Sequence, residues 1–211
     1  MSESSSPYKD YGYHDANARC TAPYLLPQIW QLTGQLDAST RVLDVGCGNG
    51  FIAGEFYKKG CRVVGLDLSE KGIDIARQTY PQARFEVLAA DDRVLENLVE
   101  EPFDIVISTE VVEHLYDPRS YAAGCFAALK PGGRVICSTP YHGYLKNLVL
   151  ALSGKWDSHA DPLWDGGHIK LWSQKTLSRL LIEAGFVNLQ FRGAGRMPLM
   201  WKSMIMSGDK A

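Results

Sequence analysis

Residues 42–50 read Val-Leu-Asp-Val-Gly-Cys-Gly-Asn-Gly, a short apolar run that ends in three glycines at alternate positions. Such a run is typical of a buried parallel strand, and glycine is needed where the backbone turns tightly against a ligand. The stretch therefore predicts a strand that turns into a helix beside a small-molecule site. The dinucleotide fingerprint G-x-G-x-x-G would place its third glycine at position 51, where this chain has Phe51. This spacing argues against an NAD-dependent dehydrogenase.

The remaining sequence alternates between strand-like and helix-like segments, which is typical of a parallel sheet with helices on both faces. The predicted strands are 41–45, 62–66, 84–88, 103–109 and 134–139, followed by an antiparallel edge pair at 187–192 and about 199–207. The predicted helices are 51–59, a helix from an N-cap at Ser69 to 80, 118–129, and a helix from an N-cap at Ser173 to 185. Pro131, Gly132 and Gly133 are expected to form the turn before the fifth strand.

The chain has 211 residues, enough for one α/β domain with a full core and too few for two. The polar, Ser-rich residues 1–15 are predicted to be a disordered tail, and 16–211 a single domain that begins with a partial helix within 18–32. Residues 141–172 form a long segment without strand or helix rhythm, which indicates an insertion or lid on the acceptor side. Within it, the apolar run 145–152 is expected to be a buried lid helix; contact of this run with a membrane or a lipid tail is the alternative.

Composition places the chain among soluble globular proteins, with 45% apolar and 22% charged residues. Its apolar runs are too short for a membrane span, and the N-terminus lacks the apolar region of a secretory signal. The five cysteines form no CxxC pair and are expected to be reduced core residues, which predicts a cytoplasmic protein.

The net charge of −2 argues against nucleic acid as the partner. The charge is uneven, because residues 1–129 hold 11 basic and 19 acidic residues (net −8), whereas 130–211 hold 11 and 5 (net +6). Two interpretations remain open: a C-terminal half that receives an anionic substrate or partner, and charge that is simply solvated.

Acidic residues follow the second and third predicted strands. Asp67 ends strand two, 17 residues after Gly50, where a carboxylate can accept both hydroxyls of a ribose. Asp91 and Asp92 follow strand three, where an adenine edge would lie. The alternative for each is an acid that stabilises a helix N-terminus.

The stretches LDVGCGNG, GLDLS, FDIVISTEVVEHL and LKPGGRVICSTP resemble the successive motifs of class I S-adenosylmethionine-dependent methyltransferases. The later stretch HIKLWSQKTLSRLLIEAGF is also similar to that family, and the ubiquinone-biosynthesis O-methyltransferases are the most similar type. The resemblance implies a single Rossmann-like α/β domain whose doubly wound, seven-stranded, mostly parallel sheet has an antiparallel last strand. It also implies S-adenosylmethionine as the cofactor.

On this resemblance, the three glycines flank the methionine moiety, Asp67 holds the ribose, and Asp91 or Asp92 approaches adenine. Arg19 is the candidate for the methionine carboxylate, as an arginine of the N-terminal helix in relatives. The residues assigned to cofactor binding from these motifs are Arg19, Asp44, Gly46, Cys47, Gly48, Asn49, Gly50, Asp67, Leu68, Asp91, Asp92 and Thr109.

The sequence Glu110-Val111-Val112-Glu113-His114 follows the fourth predicted strand. If a helical turn starts there, Glu110, Glu113 and His114 face the same way and form the candidate catalytic group. Two carboxylates and an imidazole, with His168 as a fourth ligand, would suit Mg, Mn, Fe or Zn. The ExxEH and HxxxWS patterns resemble small-RNA 2′-O-methyltransferases, in which those positions hold a divalent ion. A metal-free His114 base and a purely structural turn are the alternatives; His142 and His159 are further candidates.

Five aromatic residues cluster after strand five, where they either line an acceptor pocket or fasten the segment to the core: Tyr141, Tyr144, Trp156, Trp164 and Trp172. The function expected is O-methylation of a small hydroxylated molecule such as a phenol, a quinol or a sugar-like metabolite, by a monomer or homodimer. The alternatives are an RNA 2′-O-methyltransferase and a non-catalytic S-adenosylmethionine-binding protein.

Overall fold

The computed structural model describes residues 12–157, 159–161, 163–164 and 166–211, so most of the expected tail lies outside the described residues. The strands are β1 Arg41–Val45, β2 Arg62–Asp67, β3 Arg84–Val87, β4 Phe103–Thr109, β5 Leu129–Pro140, β6 Phe186–Ala194 and β7 Ser203–Lys210. The helices are α1 Ala22–Thr33, α2 Phe51–Lys58, α3 Glu70–Thr79, α4 Val94–Leu98, α5 Pro118–Ala128, α6 Tyr144–Leu152 and α7 Gln174–Glu183, with a 3₁₀ turn at Val112–His114.

The seven strands form one sheet in the order β3-β2-β1-β4-β5-β7-β6. The pairs from β3 to β5 are parallel, and β7 is antiparallel to both β5 and β6. The predicted Rossmann-like fold and reversed last strand are therefore confirmed. The strand order reverses between β1 and β4, and open α/β sheets bind ligands at the carboxyl ends of the strands beside such a switch point.

The sheet is covered on both faces, and each face has its own apolar cluster of buried residues. The central strands β1 and β4 are buried along most of their length, which explains their near-continuous Val, Leu and Ile content. Two predicted N-caps are observed: the Ser69 hydroxyl accepts from Gly72 N at 3.0 Å, and Ser173 forms a reciprocal capping box with Thr176.

Several sequence predictions of local structure were wrong. The fifth strand begins at Leu129, and Pro131–Gly133 lies within it, where the register with β4 shifts, instead of forming a separate turn. The last strand begins at Ser203 rather than near Leu199, whose φ of 66° does not suit a strand. The predicted antiparallel pairing of the last two strands at one edge of the sheet is nevertheless observed, with β6 outermost and β7 between β5 and β6. The short helix α4 was not predicted.

The expected buried lid helix is also wrong. The helix α6 forms at Tyr144–Leu152, but the residue that it buries is Lys146, and its apolar side chains are exposed. Among the described residues, none of the helices has the length and apolar content needed to cross a bilayer.

Candidate active site

The glycine turn follows β1 at the switch point. Gly46, Gly48 and Gly50 have φ angles of 78°, 53° and 78°, in the left-handed region that favours glycine. The N–H groups of Gly46 and Cys47 both donate to Leu66 O, at 2.8 and 2.9 Å, which joins the turn to the end of β2. A Cβ on Gly46 would lie 2.3 Å from Val111 Cγ2. The turn is therefore a close-packed backbone cradle that a side chain would disrupt.

Asp67 lies across from this turn. Its Oδ2 accepts from Gly48 N and its Oδ1 from Ser69 N, each at 2.8 Å. Two backbone donors thus orient the carboxylate at the mouth of the cradle. This is the place where the sequence predicted an acceptor for ribose hydroxyls.

Asp44, at the end of β1, is fully buried, and among the described residues neither carboxylate oxygen has a hydrogen-bond partner. Burial, and then the nearby Asp67 carboxylate, raise the pKa of Asp44 to about 7, while the Ala53 backbone N–H acts in the opposite direction. A buried carboxyl therefore lies two residues before the glycine turn.

An N-terminal segment, residues 12–19, covers the glycine turn. Asn49 Nδ2 donates to Asp15 O at 2.7 Å and to Asn17 O at 3.0 Å. A Cβ on Gly48 would lie 2.3 Å from the Tyr13 hydroxyl, so this ring rests directly on the turn. The Arg19 guanidinium lies 4.4 Å from the centre of the same ring. Asn49 and Arg19 were predicted from the sequence motifs. Tyr13 was not, because an isolated aromatic residue in a polar segment carries no motif signal.

The other residues assigned to the cofactor lie around this edge. Leu68 is 45% exposed just beyond β2, whereas the Cys47 thiol is buried and Thr109 is half-buried at the end of β4. Asp91 Oδ1 accepts from Arg93 N at 3.0 Å, and Asp92 N donates to Ser120 Oγ at 3.0 Å. Asp91 therefore takes part in a local turn after β3, whereas the Asp92 backbone is joined to α5.

The acidic turn after β4 does not form the helical turn that was predicted. Glu110 has a φ of 56°, and the 3₁₀ turn begins only at Val112. The Glu110 carboxylate accepts from Ser138 Oγ at 2.7 Å and from Ser203 Oγ at 3.1 Å, towards β5 and β7. The expectation that Glu110, Glu113 and His114 share one face is therefore wrong.

Glu113, His114 and His168 do come together. One ligand atom from each lies within 4.8 Å of those of the other two. Glu113 is 1% exposed, and among the described residues neither of its carboxylate oxygens has a hydrogen-bond partner. Burial, and then the Glu110 carboxyl, raise the pKa of Glu113 well above its ordinary value, with the Thr139 hydroxyl opposing. A buried carboxyl without a donor is costly, and a cation would offset that cost.

The His114 imidazole of this group is oriented by backbone carbonyls, whereas the buried Nδ1 of His168 has no hydrogen-bond partner among the described residues. His114 Nδ1 lies 2.8 Å from Gly166 O and 3.0 Å from Gly167 O. Carbonyl oxygens only accept, so Nδ1 carries the proton, and Nε2, 3.8 Å from Glu113 Oε1, faces the carboxylate. Burial lowers the pKa of His114, and it lowers that of His168 to about 4. A carboxylate and two neutral imidazoles with an orienting carbonyl shell are a ligand set that divalent metals use.

Two aromatic residues of the 141–172 segment fasten it to the core, and a third is partly exposed beside the histidines. Tyr141 packs in the core against the Trp201 ring, and Trp172 Nε1 donates to Val112 O at 3.2 Å behind the acidic turn. Trp164 is 47% exposed, with its ring 5.1 Å from that of His168. Trp164 is therefore the aromatic that remains available beside the Glu113, His114 and His168 group.

Comparisons with known proteins agree with this geometry. Residues 16–190 match a family model described as a methyltransferase domain. A ubiquinone biosynthesis O-methyltransferase of Ruegeria sp. (strain TM1040) is 32% identical over 208 residues, covering 90% of this chain and 80% of that one.

Solved structures share the fold. A phosphoethanolamine N-methyltransferase 2 of Haemonchus contortus, in complex with S-adenosyl-L-methionine, superposes with a TM-score of 0.66 at 18% identity; it covers 87% of this chain, which spans about half (51%) of that enzyme. A SAM-dependent methyltransferase from Archaeoglobus fulgidus gives 0.65 at 19% identity, covering 88% of this chain and 91% of that one. The chain therefore belongs to the methyltransferase domain family and is an S-adenosylmethionine-dependent methyltransferase.

Proposed function

We propose that this enzyme methylates a hydroxyl oxygen of a small molecule, with a divalent metal held by Glu113, His114 and His168. The observation that carries the proposal is the buried Glu113 carboxyl, which lacks a hydrogen-bond partner among the described residues and faces two imidazoles. The relative from Ruegeria is named for O-methylation in ubiquinone biosynthesis, and this supports a hydroxylated acceptor.

In this proposal S-adenosylmethionine supplies an electrophilic methyl group whose sulfonium becomes a thioether on transfer. Gly46 and Gly48 form the cradle beside the methionine end, and Asp67 accepts from the ribose hydroxyls. The glycines of the cradle carry no side chains of their own, so the cofactor can approach their backbone closely beside the Tyr13 ring. In-line transfer requires the acceptor oxygen, methyl carbon and sulfur to be aligned, and such positioning supplies up to about 7–11 kcal/mol.

The acceptor hydroxyl must lose a proton as the oxygen–carbon bond forms. A divalent ion, when bound, lowers the pKa of a coordinated hydroxyl. Glu113, the Nε2 atom of His114 and one ring nitrogen of His168 would hold it, and the Gly166 and Gly167 carbonyls keep the His114 ring oriented. This group lies next to the switch point, beside the cradle, so the acceptor oxygen would be presented to the methyl group.

The test uses labelled S-adenosylmethionine, purified protein and a cell extract, and identifies the methylated product by mass. Chelation should abolish transfer, and a divalent cation should restore it. Glu113→Gln should lower both metal affinity and transfer at least about 100-fold, in line with the loss of a metal ligand. The exposed Glu96→Gln is the matched control.

Full transfer after exhaustive chelation would end the metal proposal and leave His114 as the candidate base. A labelled product that is RNA, with binding that weakens steeply as salt rises, would overturn the small-molecule acceptor. Binding of S-adenosylhomocysteine without transfer to anything in the extract would favour a non-catalytic protein.

A further inference from the structure

The helix α6 has an inverted pattern of burial. Lys146 is 5% exposed, whereas the apolar Leu145 and Leu148 are 43% and 40% exposed and Leu152 is 80% exposed. Burying an ammonium group is unfavourable unless it is paired, and leaving leucine side chains exposed forgoes the hydrophobic stabilisation of their burial. Stability alone would favour the opposite arrangement, so the buried lysine indicates a functional requirement.

The Lys146 amino group points at the carboxyl edge of the sheet. Its Nζ donates to Lys202 O at 3.3 Å, the one hydrogen bond that this group makes to the described residues. That carbonyl also accepts from Tyr141 N at 3.0 Å and is adjacent in the chain to Ser203, which donates to Glu110. An ammonium has three donors, so most of its hydrogen-bonding capacity remains for a ligand.

The groups around Lys146 make this corner cationic. Burial, and then the nearby Arg196 guanidinium, lower the pKa of Lys146 to about 8, and Glu110 opposes this change. Burial, and then Lys146 and Arg196, lower the pKa of His159. The buried Nε2 of His159 has no hydrogen-bond partner among the described residues, and its ring lies 5.1 Å from that of His142. His142 links this ring to α6, because its Nδ1 lies 3.2 Å from Oδ1 of Asn147, the residue after Lys146. The buried ammonium of Lys146 and an unused imidazole nitrogen thus lie in one corner, whereas Arg196 is exposed.

We propose that the methyl acceptor carries an oxyanion, a carboxylate or a phosphate, which Lys146 binds with help from His159. An oxyanion would take up the remaining donors of Lys146 and neutralise its buried charge. It would also explain why α6 turns its lysine inward. The inference rests on the proposed transfer to a small acceptor and adds the chemical class of that acceptor.

The test is a titration of isotope-labelled protein, with S-adenosylhomocysteine bound, by phosphate and separately by acetate at constant ionic strength. Amide resonances of α6 and of residues 194–203 should shift saturably in the millimolar range. Lys146→Met should weaken the oxyanion at least tenfold, and Lys146→Arg, which keeps the charge, should stay within threefold of the wild type. Lys175→Met, at an exposed lysine in α7, should leave binding unchanged.

Absence of saturable shifts in the wild type, or equal affinity in Lys146→Met, would overturn the proposal. A Lys146→Arg variant that binds the oxyanion normally yet transfers no methyl group would mean that the lysine acts as a base and would also overturn it. Tighter binding of phosphate than of acetate identifies a phosphorylated acceptor, and the reverse identifies a carboxylate.

Calorimetry with S-adenosylhomocysteine separates this inference from the proposed function. Lys146→Met should bind that product as the wild type does, because Lys146 lies outside the cradle. Normal product binding together with a lost oxyanion site supports the inference even before the acceptor is known. A wild-type protein that does not bind the product would contradict the proposed function, while the oxyanion titration would still be interpretable.

Discussion

The two halves of the proposed site differ in how their polar groups are paired. In the proposed cofactor half, formed by the glycine turn and Asp67, backbone N–H groups donate to the Asp67 carboxylate at 2.8 Å and tie the turn to β2. In the proposed acceptor half, formed by Glu113, His114, His168 and Lys146, a buried carboxyl and a buried imidazole nitrogen have no partner among the described residues. The first half is a preorganised cradle, and the second is a set of groups whose cost of burial only a ligand would offset.

The largest effect should come from filling the cradle. Gly46→Ala places a Cβ 2.3 Å from Val111 Cγ2 at a φ of 78°. Left-handed strain of about 1–2 kcal/mol plus overpacking of about 1–3 kcal/mol should lower the free energy of unfolding and abolish product binding. Denaturant unfolding measures the free energy of unfolding, and calorimetry measures the binding of S-adenosylhomocysteine.

The matched control is Gly132→Ala, whose φ is 77° and whose added Cβ meets nothing within 4 Å. It should lose stability through strain alone and bind S-adenosylhomocysteine normally. Equal binding by the two variants would show that the cradle does not contact the cofactor.

Removal of the Asp67 carboxylate should have the second-largest effect on product binding. Asp67→Ala leaves Gly48 N and Ser69 N without their acceptor and removes the proposed ribose contact. Hydrogen bonds to a charged group contribute about 1.5–3 kcal/mol each, so product binding should weaken roughly 100-fold by calorimetry. Asp74→Ala, at an exposed position in α3, should leave product binding unchanged.

Glu113→Gln should bind the product normally. This result would confirm that the two halves of the site act separately.

A smaller effect is expected where the N-terminal segment meets the turn. Asn49→Ala removes the hydrogen bonds to Asp15 O and Asn17 O, worth about 0.5–1.5 kcal/mol each. Product affinity should fall about 3- to 30-fold, and residues 12–19 should be cleaved faster by a protease. Asn97→Ala, at an exposed position in α4, is the control. Unchanged cleavage would mean that these two bonds do not hold the segment.

The smallest effect concerns stability in the acceptor half. Lys146→Met should raise the free energy of unfolding by roughly 1 kcal/mol near neutral pH, because it removes a buried charge. The pKa of Lys146 is about 8 in the folded protein against 10.5 ordinarily, so the unfolded chain binds the proton more tightly. The penalty is fully present below pH 8 and is lost as the pH rises from 8 to 10.5. Urea unfolding should therefore show the two proteins converging over that interval; a variant less stable at neutral pH would contradict the expectation.

The two halves also differ in how much of their structure could be predicted from the sequence. The cofactor half is formed by local stretches, in which consecutive residues determine the strand, the left-handed turn and the helix. The fold class, β1 at Arg41–Val45 and the cap at Ser69 could therefore be predicted from the sequence, and the structure confirms them. The placement of Tyr13 could not, because it depends on where a polar segment lies after folding.

In the acceptor half the sequence determined which residue types were available, including the histidines, the acidic turn and an excess of basic residues after position 130. Only the tertiary structure decided that Glu110 turns towards β7, that Glu113 meets His168, and that Lys146 faces inward. Those contacts join residues more than 30 positions apart in the chain. They depend on the packing of whole elements, in particular on the reversed β7 and the segment before α7, and not on the propensities of neighbouring residues.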